Sequence, residues 1–205
     1  LKKGYNVIII DSNINSSEKV IDNISLLLEK DGIFDTKLDF IKGDLRDIDL
    51  IDKIFEKSKL KNQPISSVIH FAGLKSVSES ITNPLKYWDA NVNSSIKLLQ
   101  IMDKYECRTI VFSSSATVYG VNGGSFINET SKLNPCNPYG TTKLIIEKLL
   151  NDIYLNSKKD WKIVSLRYFN PIGAHESGLL GEDPLGVPNN IFPTLNKVAI
   201  GEIPK

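Results

Sequence analysis

The chain has 205 residues, 41% hydrophobic and 24% charged, with a formal net charge of +1. That length holds one domain with a sizeable core, or one domain and part of another. Balanced charge leaves no footprint for nucleic acid, and no apolar run reaches the length of a membrane span.

The start, Leu1-Lys2-Lys3-Gly4, does not read as a signal peptide. It reads as the last turn of a helix with Gly4 as its left-handed cap. Asn6 to Asp11 follows as a strand ending in a carboxylate. Ser17 to Lys30 has helical spacing, and Leu38 to Lys42 reads as a second strand leading into Gly43-Asp44-Leu45. Asp47 to Ser58 is the next helix. Ser67 to Phe71 is a short strand that opens into Ala72-Gly73-Leu74-Lys75. Pro84 to Tyr105 reads as one long helix, with Leu98, Ile101, Met102 and Tyr105 on its apolar face. Thr109 to Ser113 is a buried strand running into a serine loop, and Gly123-Gly124 marks a turn. Asn137-Pro138 reads as N-cap and first position of a helix reaching Asn156. Lys162 to Arg167 is the last strand. A Gly/Pro/Asn-rich segment, Asn170 to Asn189, precedes a helix over Asn190 to Ile200. Alternating strands and helices predict an α/β fold with a parallel sheet.

One pattern specifies a reaction type: Ser115, then Tyr139-Gly140-Thr141-Thr142-Lys143. Tyr139 and Lys143 stand four apart, on one helix face. A lysine beside a phenol favours the phenolate and is expected to lower its pKa. The result is a base for a hydroxyl proton, with Ser115 adding a hydrogen bond. Removing such a proton while hydride leaves is nicotinamide chemistry.

Other residues extend the pattern, each with a plainer reading beside it. A carboxylate at the end of a strand, as at Asp11, accepts the ribose hydroxyls of NAD and repels a 2′-phosphate, or is a surface strand end. Asp44 caps an adenine edge or starts a helix. Ala72-Gly73 lets the backbone approach a pyrophosphate or makes a tight turn. Lys75 offers a cation to phosphate oxygens. Asn91 is a poor helix former that serves the cofactor or a neighbouring strand end. Phe169 packs on a nicotinamide or ends a strand, and Asn170 suits a sugar or diphosphate. His70 and His175 are isolated and read as structural histidines or as single ligands or bases. Cys107 and Cys136 lack disulfide-framework or metal spacing, so a reduced, cytoplasmic setting is expected and no metal site.

Together these stretches resemble the UDP-glucose 4-epimerases, extended members of the short-chain dehydrogenase superfamily. The resemblance rests on Phe71 to Lys75, Ser113 to Gly120, Tyr139 to Lys143, Leu166 to His175, Gly181-Glu182-Asp183-Pro184 and Pro188-Asn189-Asn190. It implies a Rossmann-type, doubly wound parallel sheet holding NAD over residues 1–185. The start of a smaller UDP-sugar domain would follow over 186–205. It implies NAD contacts from Asp11, Ser12, Asn13, Ile14, Asn15, Ser16, Asp44, Leu45, Phe71, Ala72, Gly73, Leu74, Lys75, Asn91, Ser115, Tyr139, Lys143 and Phe169. Ser12 departs from the asparagine common in the family. Catalysis falls to Tyr139, Lys143 and Ser115. Substrate contacts fall to Ser115, Tyr139, Asn170, Asn190 and Ile191. UDP-galactose and UDP-glucose are the implied substrates, with a homodimer at full length and no nucleic-acid or membrane partner.

The strand order of this fold places its first strand mid-sheet. That strand and its Gly-rich phosphate loop are expected upstream of Leu1. Without them Asn6 to Asp11 and Ser67 to Phe71 lose a shared neighbour, and the 205 residues alone are not expected to fold natively or catalyse. Competing readings are another nucleotide-sugar enzyme, such as a 4,6-dehydratase, and a non-catalytic nucleotide-binding remnant. Ser115-Ala116-Thr117 lacks the carboxylates that dehydration needs.

Overall fold

The computed structural model describes residues 1–121, 126–182 and 190–204. Gly123-Gly124, Asp183-Pro184, Pro188-Asn189 and the expected domain boundary at 185/186 lie outside the described residues. The strands are β1 (Val7–Asp11), β2 (Leu38–Lys42), β3 (Val68–His70), β4 (Thr109–Ser115) and β5 (Lys162–Tyr168). The helices are α1 (Lys19–Lys30), α2 (Ile48–Leu60), α3 (Val77–Thr82), α4 (Pro84–Tyr87), α5 (Ser94–Lys104), α6 (Pro138–Asn156) and α7 (Ile191–Ala199). None of them is long and apolar enough to cross a membrane.

Every strand pairing is parallel, as the alternation of elements predicts. Among the described residues the strands form two sheets, β1-β2 and β3-β4-β5. β1 and β3 are therefore each paired on one side only, the two edges that the expected strand order leaves. The chain divides accordingly into two compact units, Leu1–Asp44 with Asn170–Lys205, and Leu45–Phe169.

In the first unit β1 and β2 run in register from Val7 opposite Leu38 to Asp11 opposite Lys42. Gly4 takes φ +83 and closes a turn by donating to the Leu1 carbonyl at 2.8 Å. Leu27 and Leu28 are the buried residues of α1. The Asn23 side chain donates to the Leu179 carbonyl at 2.8 Å, tying α1 to the segment after Asn170.

In the second unit β4 is central, with Ile110, Phe112 and Ser114 buried on alternate positions. Leu98, Ile101 and Met102 of α5 and Ile146 and Leu150 of α6 are buried as well, and α6 lies against β4 and β5. Burying each such side chain is worth about 1.5–3 kcal/mol. α6 starts where the sequence predicts: the Asn137 side chain accepts from Gly140 N at 2.8 Å, and Pro138 takes the first position.

The expected helix over Pro84 to Tyr105 is broken. Between α4 and α5, Trp88–Asn93 winds as a wider π turn. The Ser94 and Ser95 hydroxyls donate to carbonyls in that turn, Ser94 to Ala90 at 2.6 Å and Ser95 to Asn91 at 2.6 Å. Side-chain hydroxyls thus satisfy backbone groups that a change of winding displaces. α3 was not expected; Ser76 caps it, accepting from Glu79 N at 3.3 Å.

A half-buried ion pair ties α6 to β5 near the carboxyl end of the sheet. Arg167 donates to Glu147 through Nη2 at 2.7 Å and Nε at 3.0 Å. Arg167 Nη1 reaches Tyr119 Oη at 2.9 Å and the Glu129 carbonyl at 3.1 Å. Glu147 and its hydroxyl neighbour raise the Arg167 pKa above its ordinary value. Removing the guanidinium leaves the half-buried Glu147 carboxylate without its counter-charge. Arg167→Met is expected to lower unfolding stability by about 1–3 kcal/mol, read by urea denaturation; an unchanged midpoint would refute the clamp.

Candidate active site

Ser115 ends β4 and caps the short 3-10 turn Ala116–Tyr119. Its Oγ accepts from Thr117 N at 3.2 Å and Thr117 Oγ1 at 3.0 Å. The Asn137 cap sets α6 so that Tyr139 lies in its first turn and Lys143 one turn on. Lys143 is 4% exposed. Its Nζ donates to the Ser113 carbonyl at 2.8 Å, 4.8 Å from the Phe112 ring centroid and 5.9 Å from that of Tyr139. Burial pushes this ammonium down to about 8.

The phenol departs from expectation. Burial pushes the Tyr139 pKa up, and the Ser115 hydrogen bond opposes that shift. Removal of the ring from water dominates.

The segment after β3 faces this site. Phe71, Ala72, Gly73 and Lys75 are exposed and Leu74 is half-buried. Gly73 takes φ +149, and a Cβ there would stand 3.0 Å from Asn91 Oδ1. Asn91, 1% exposed, accepts from Leu74 N at 2.7 Å and donates to the Leu74 carbonyl and Thr142 Oγ1, both at 3.1 Å. Thr142 Oγ1 in turn donates to the Tyr139 carbonyl at 2.7 Å. Asn91 thus joins the β3 loop to the catalytic helix.

His70 is structural. Its Nε2 lies 2.9 Å from Ser95 Oγ. The Ser95 hydrogen is already given to the Asn91 carbonyl at 2.6 Å, so the ring donates. Burial first, and the Lys143 charge second, push His70 down to about 3.

The other residues singled out lie in the first unit, save Leu45 and Phe169, which belong to the second. Asp11 Oδ1 accepts from Asn13 N at 2.7 Å and Ser16 Oγ at 3.0 Å, and Asn13 turns at φ +55. Ser12 is half-buried, and Ile14 and Asn15 are exposed. Asp44 follows β2 half-buried, whereas Leu45 is buried in the second unit. Phe169 and Asn170 are exposed beyond β5. Asn190 precedes α7 and donates to Glu182 Oε1 at 2.8 Å, and Ile191 is exposed.

The structure therefore gathers Ser115, Tyr139, Lys143, Gly73, Leu74 and Asn91 in the second unit. Thr117, Thr142 and Glu147 escaped the sequence reading. Thr142 and Glu147 share the phase of Tyr139 and Lys143 on α6, a signal that spacing contains. Thr117 carries none beyond its place in the serine loop.

The folded pKa of His70 lies below its unfolded value near 6.5. The unfolded chain then binds more protons between about pH 3 and about pH 6.5, so this contribution to stability falls as pH drops through that window. Urea unfolding at about pH 7 and about pH 5 should show a smaller loss in His70→Asn than in the parent. Equal losses would refute a neutral, buried His70.

Residues 1–205 match the family model described as GDP-mannose 4,6 dehydratase. The chain is 46% identical over 205 residues to the bifunctional UDP-glucose 4-epimerase and UDP-xylose 4-epimerase 1 of Pisum sativum, covering 100% of this chain and 56% of that protein. Its structure matches the crystal structure of UDP-glucose 4-epimerase from Bifidobacterium longum in complex with NAD+ and UDP. The TM-score is 0.89 at 44% identity, covering 99% of this chain and 57% of that one. The Stenotrophomonas maltophila enzyme, with bound NAD and formylated UDP-arabinopyranose, matches at TM-score 0.88 and 40% identity, covering 100% and 57%. The chain thus spans little more than half the length of these relatives, and its parallel α/β architecture is Rossmann-type. With every residue inside the family model, the chain belongs to the GDP-mannose 4,6 dehydratase family, and the relatives it resembles are UDP-glucose 4-epimerases.

Proposed function

We propose that the chain carries the Ser-Tyr-Lys site of a UDP-glucose 4-epimerase interconverting UDP-galactose and UDP-glucose with NAD. The observation that carries this reading is the meeting of Ser115, Tyr139 and Lys143 at the carboxyl end of β4, with the lysine buried. Ligands in open α/β sheets bind at that end of the strands.

Within each unit, residues present suit part of a dinucleotide. Gly73 leaves exposed backbone where a side chain would collide with Asn91. Asp11 is held at the end of β1 by Asn13 and Ser16 through one carboxylate oxygen. Its other oxygen suits ribose hydroxyls. When bound, NAD supplies the acceptor and donor of hydride.

Tyr139 Oη takes the proton from the sugar 4-hydroxyl as C4 is oxidised, and returns it as C4 is reduced from the opposite face. Lys143, cationic below about pH 8, favours through its charge the phenolate that takes this proton. Ser115 orients the sugar hydroxyl and the phenol. Asn170, Asn190 and Ile191 would contribute to the UDP-sugar site. Ala116 and Thr117 supply no carboxylate for loss of water, which favours epimerisation over dehydration within the same family. A homodimer and a cytoplasmic setting complete the proposal, the latter supported by the free thiols Cys107 and Cys136.

In the protein at its natural length, Tyr139→Phe is expected to lower UDP-galactose turnover by about 10²–10⁴-fold while NAD still copurifies. Undiminished turnover would remove Tyr139 from the chemistry. A 4-keto-6-deoxy product would assign a dehydratase instead, and a parent that binds neither NAD nor UDP-sugar would be non-catalytic.

A further inference from the structure

Thr142 stands on α6 next to Lys143 and is fully buried. A hydroxyl has one hydrogen to place and two lone pairs to offer. The Thr142 hydrogen goes to the Tyr139 carbonyl at 2.7 Å. A lone pair takes Asn91 Nδ2 at 3.1 Å. Chemistry fixes the direction of this second bond, since an amide nitrogen only donates.

Asn91 passes the constraint on. Its amide grips one residue from both sides: Oδ1 accepts from Leu74 N at 2.7 Å, and Nδ2 donates to the Leu74 carbonyl at 3.1 Å. Both Nδ2 hydrogens are thereby used, one on Leu74 and one on Thr142. Leu74 is only half-buried, and Gly73 and Lys75 on either side of it are exposed. A stretch with so little burial opens easily unless hydrogen bonds hold it. The same stretch lies over the site: a Cβ on Gly73 would stand 3.0 Å from Asn91 Oδ1 and 3.8 Å from Lys143 Nζ.

We propose that Thr142 is a positioning residue that, through Asn91, sets the backbone of the loop 71–75 and thereby its affinity for a dinucleotide. The proposal rests on the reading of that loop as a cofactor contact. It ties cofactor affinity to a threonine on the catalytic helix that is too buried to touch cofactor or sugar. Without the hydroxyl, one Nδ2 hydrogen is left unpaired in a buried place, which carries the full cost of desolvation. Turning the amide over does not relieve it. The Leu74 N–H would then face Nδ2, donor against donor, and the Leu74 carbonyl would face Oδ1. The amide must shift instead, and Leu74 shifts with it.

The test reads the loop and the cofactor separately, in the protein at natural length freed of nucleotide. Thr142→Val keeps the shape of the side chain and removes the hydroxyl. Amide exchange followed by NMR should show Leu74 losing roughly five- to a hundredfold of its protection, the size of one buried donor left without a partner. The amides of β4 should exchange as in the parent. Titration with NAD should show a dissociation constant raised within the same range. Thr142→Ser, which keeps the hydroxyl, should match the parent in both measurements. In an Asn91→Ala background, adding Thr142→Val should weaken NAD no further. Thr142→Ala removes the same acceptor should the valine not fold. An NAD affinity equal to the parent's would overturn the proposal, as would a further loss in the Asn91→Ala background. Equal loss of protection at Leu74 and along β4 would overturn it too, by making Thr142 a matter of general packing. A parent that binds no NAD, with Leu74 deprotected in Thr142→Val as expected, would sink the functional reading and leave the linkage of Thr142 to the loop standing.

Discussion

A buried ammonium must have a partner, and that constraint sets the site. Lys143 finds its partner in the Ser113 carbonyl, a backbone atom of β4 that cannot swing away. An unpaired charge in that position would cost several kcal/mol. The bond therefore fixes both the rotation of α6 about its axis and its height on the strand. One turn earlier stands Tyr139; one turn later, Glu147 accepts from Ser114. Tyr139, Lys143 and Glu147 make a polar stripe on a helix whose other buried residues are largely apolar. Along the stripe Lys143 engages Ser113 and Glu147 engages Ser114.

A second layer holds the loop beyond β3. The Asn91 amide bonds both backbone groups of Leu74 and the Thr142 hydroxyl, while the Asn91 carbonyl takes the Ser95 hydroxyl that also meets His70. The loop, the π turn and the catalytic helix are thus one hydrogen-bonded body. Such networks hold geometry well when every member is satisfied. The same completeness explains why His70 is kept neutral: a charged ring would find burial and a nearby cation against it.

Much of this was legible in the sequence because its signals are local. Asn137-Pro138 announces the start of α6 by capping chemistry, and β2 and the catalytic helix fall where periodicity places them. The split into two sheets follows from a strand order in which β1 and β3 are not neighbours. The rest depends on tertiary burial. The direction of the Tyr139 shift could not be read from a lysine four residues away, because burial of the ring sets it. The Glu147–Arg167 pair spans twenty residues with no spacing rule to mark it. α3 carries a local capping signal too, a serine three residues before a glutamate at Ser76 and Glu79.

The π turn at Trp88–Asn93 sets local regularity against the site. Such a turn holds one residue more than the α-helix it interrupts. Deleting a single residue there would let α4 and α5 fuse into a straighter rod with an unbroken ladder. Every side chain on one flank would then rotate by about a quarter turn or more relative to the other. Asn91 could not keep Leu74 and Thr142 in reach while α5 kept its apolar face inward. A shortened variant of this segment would be the better helix and the poorer scaffold, so chain length across these six residues is itself part of the site.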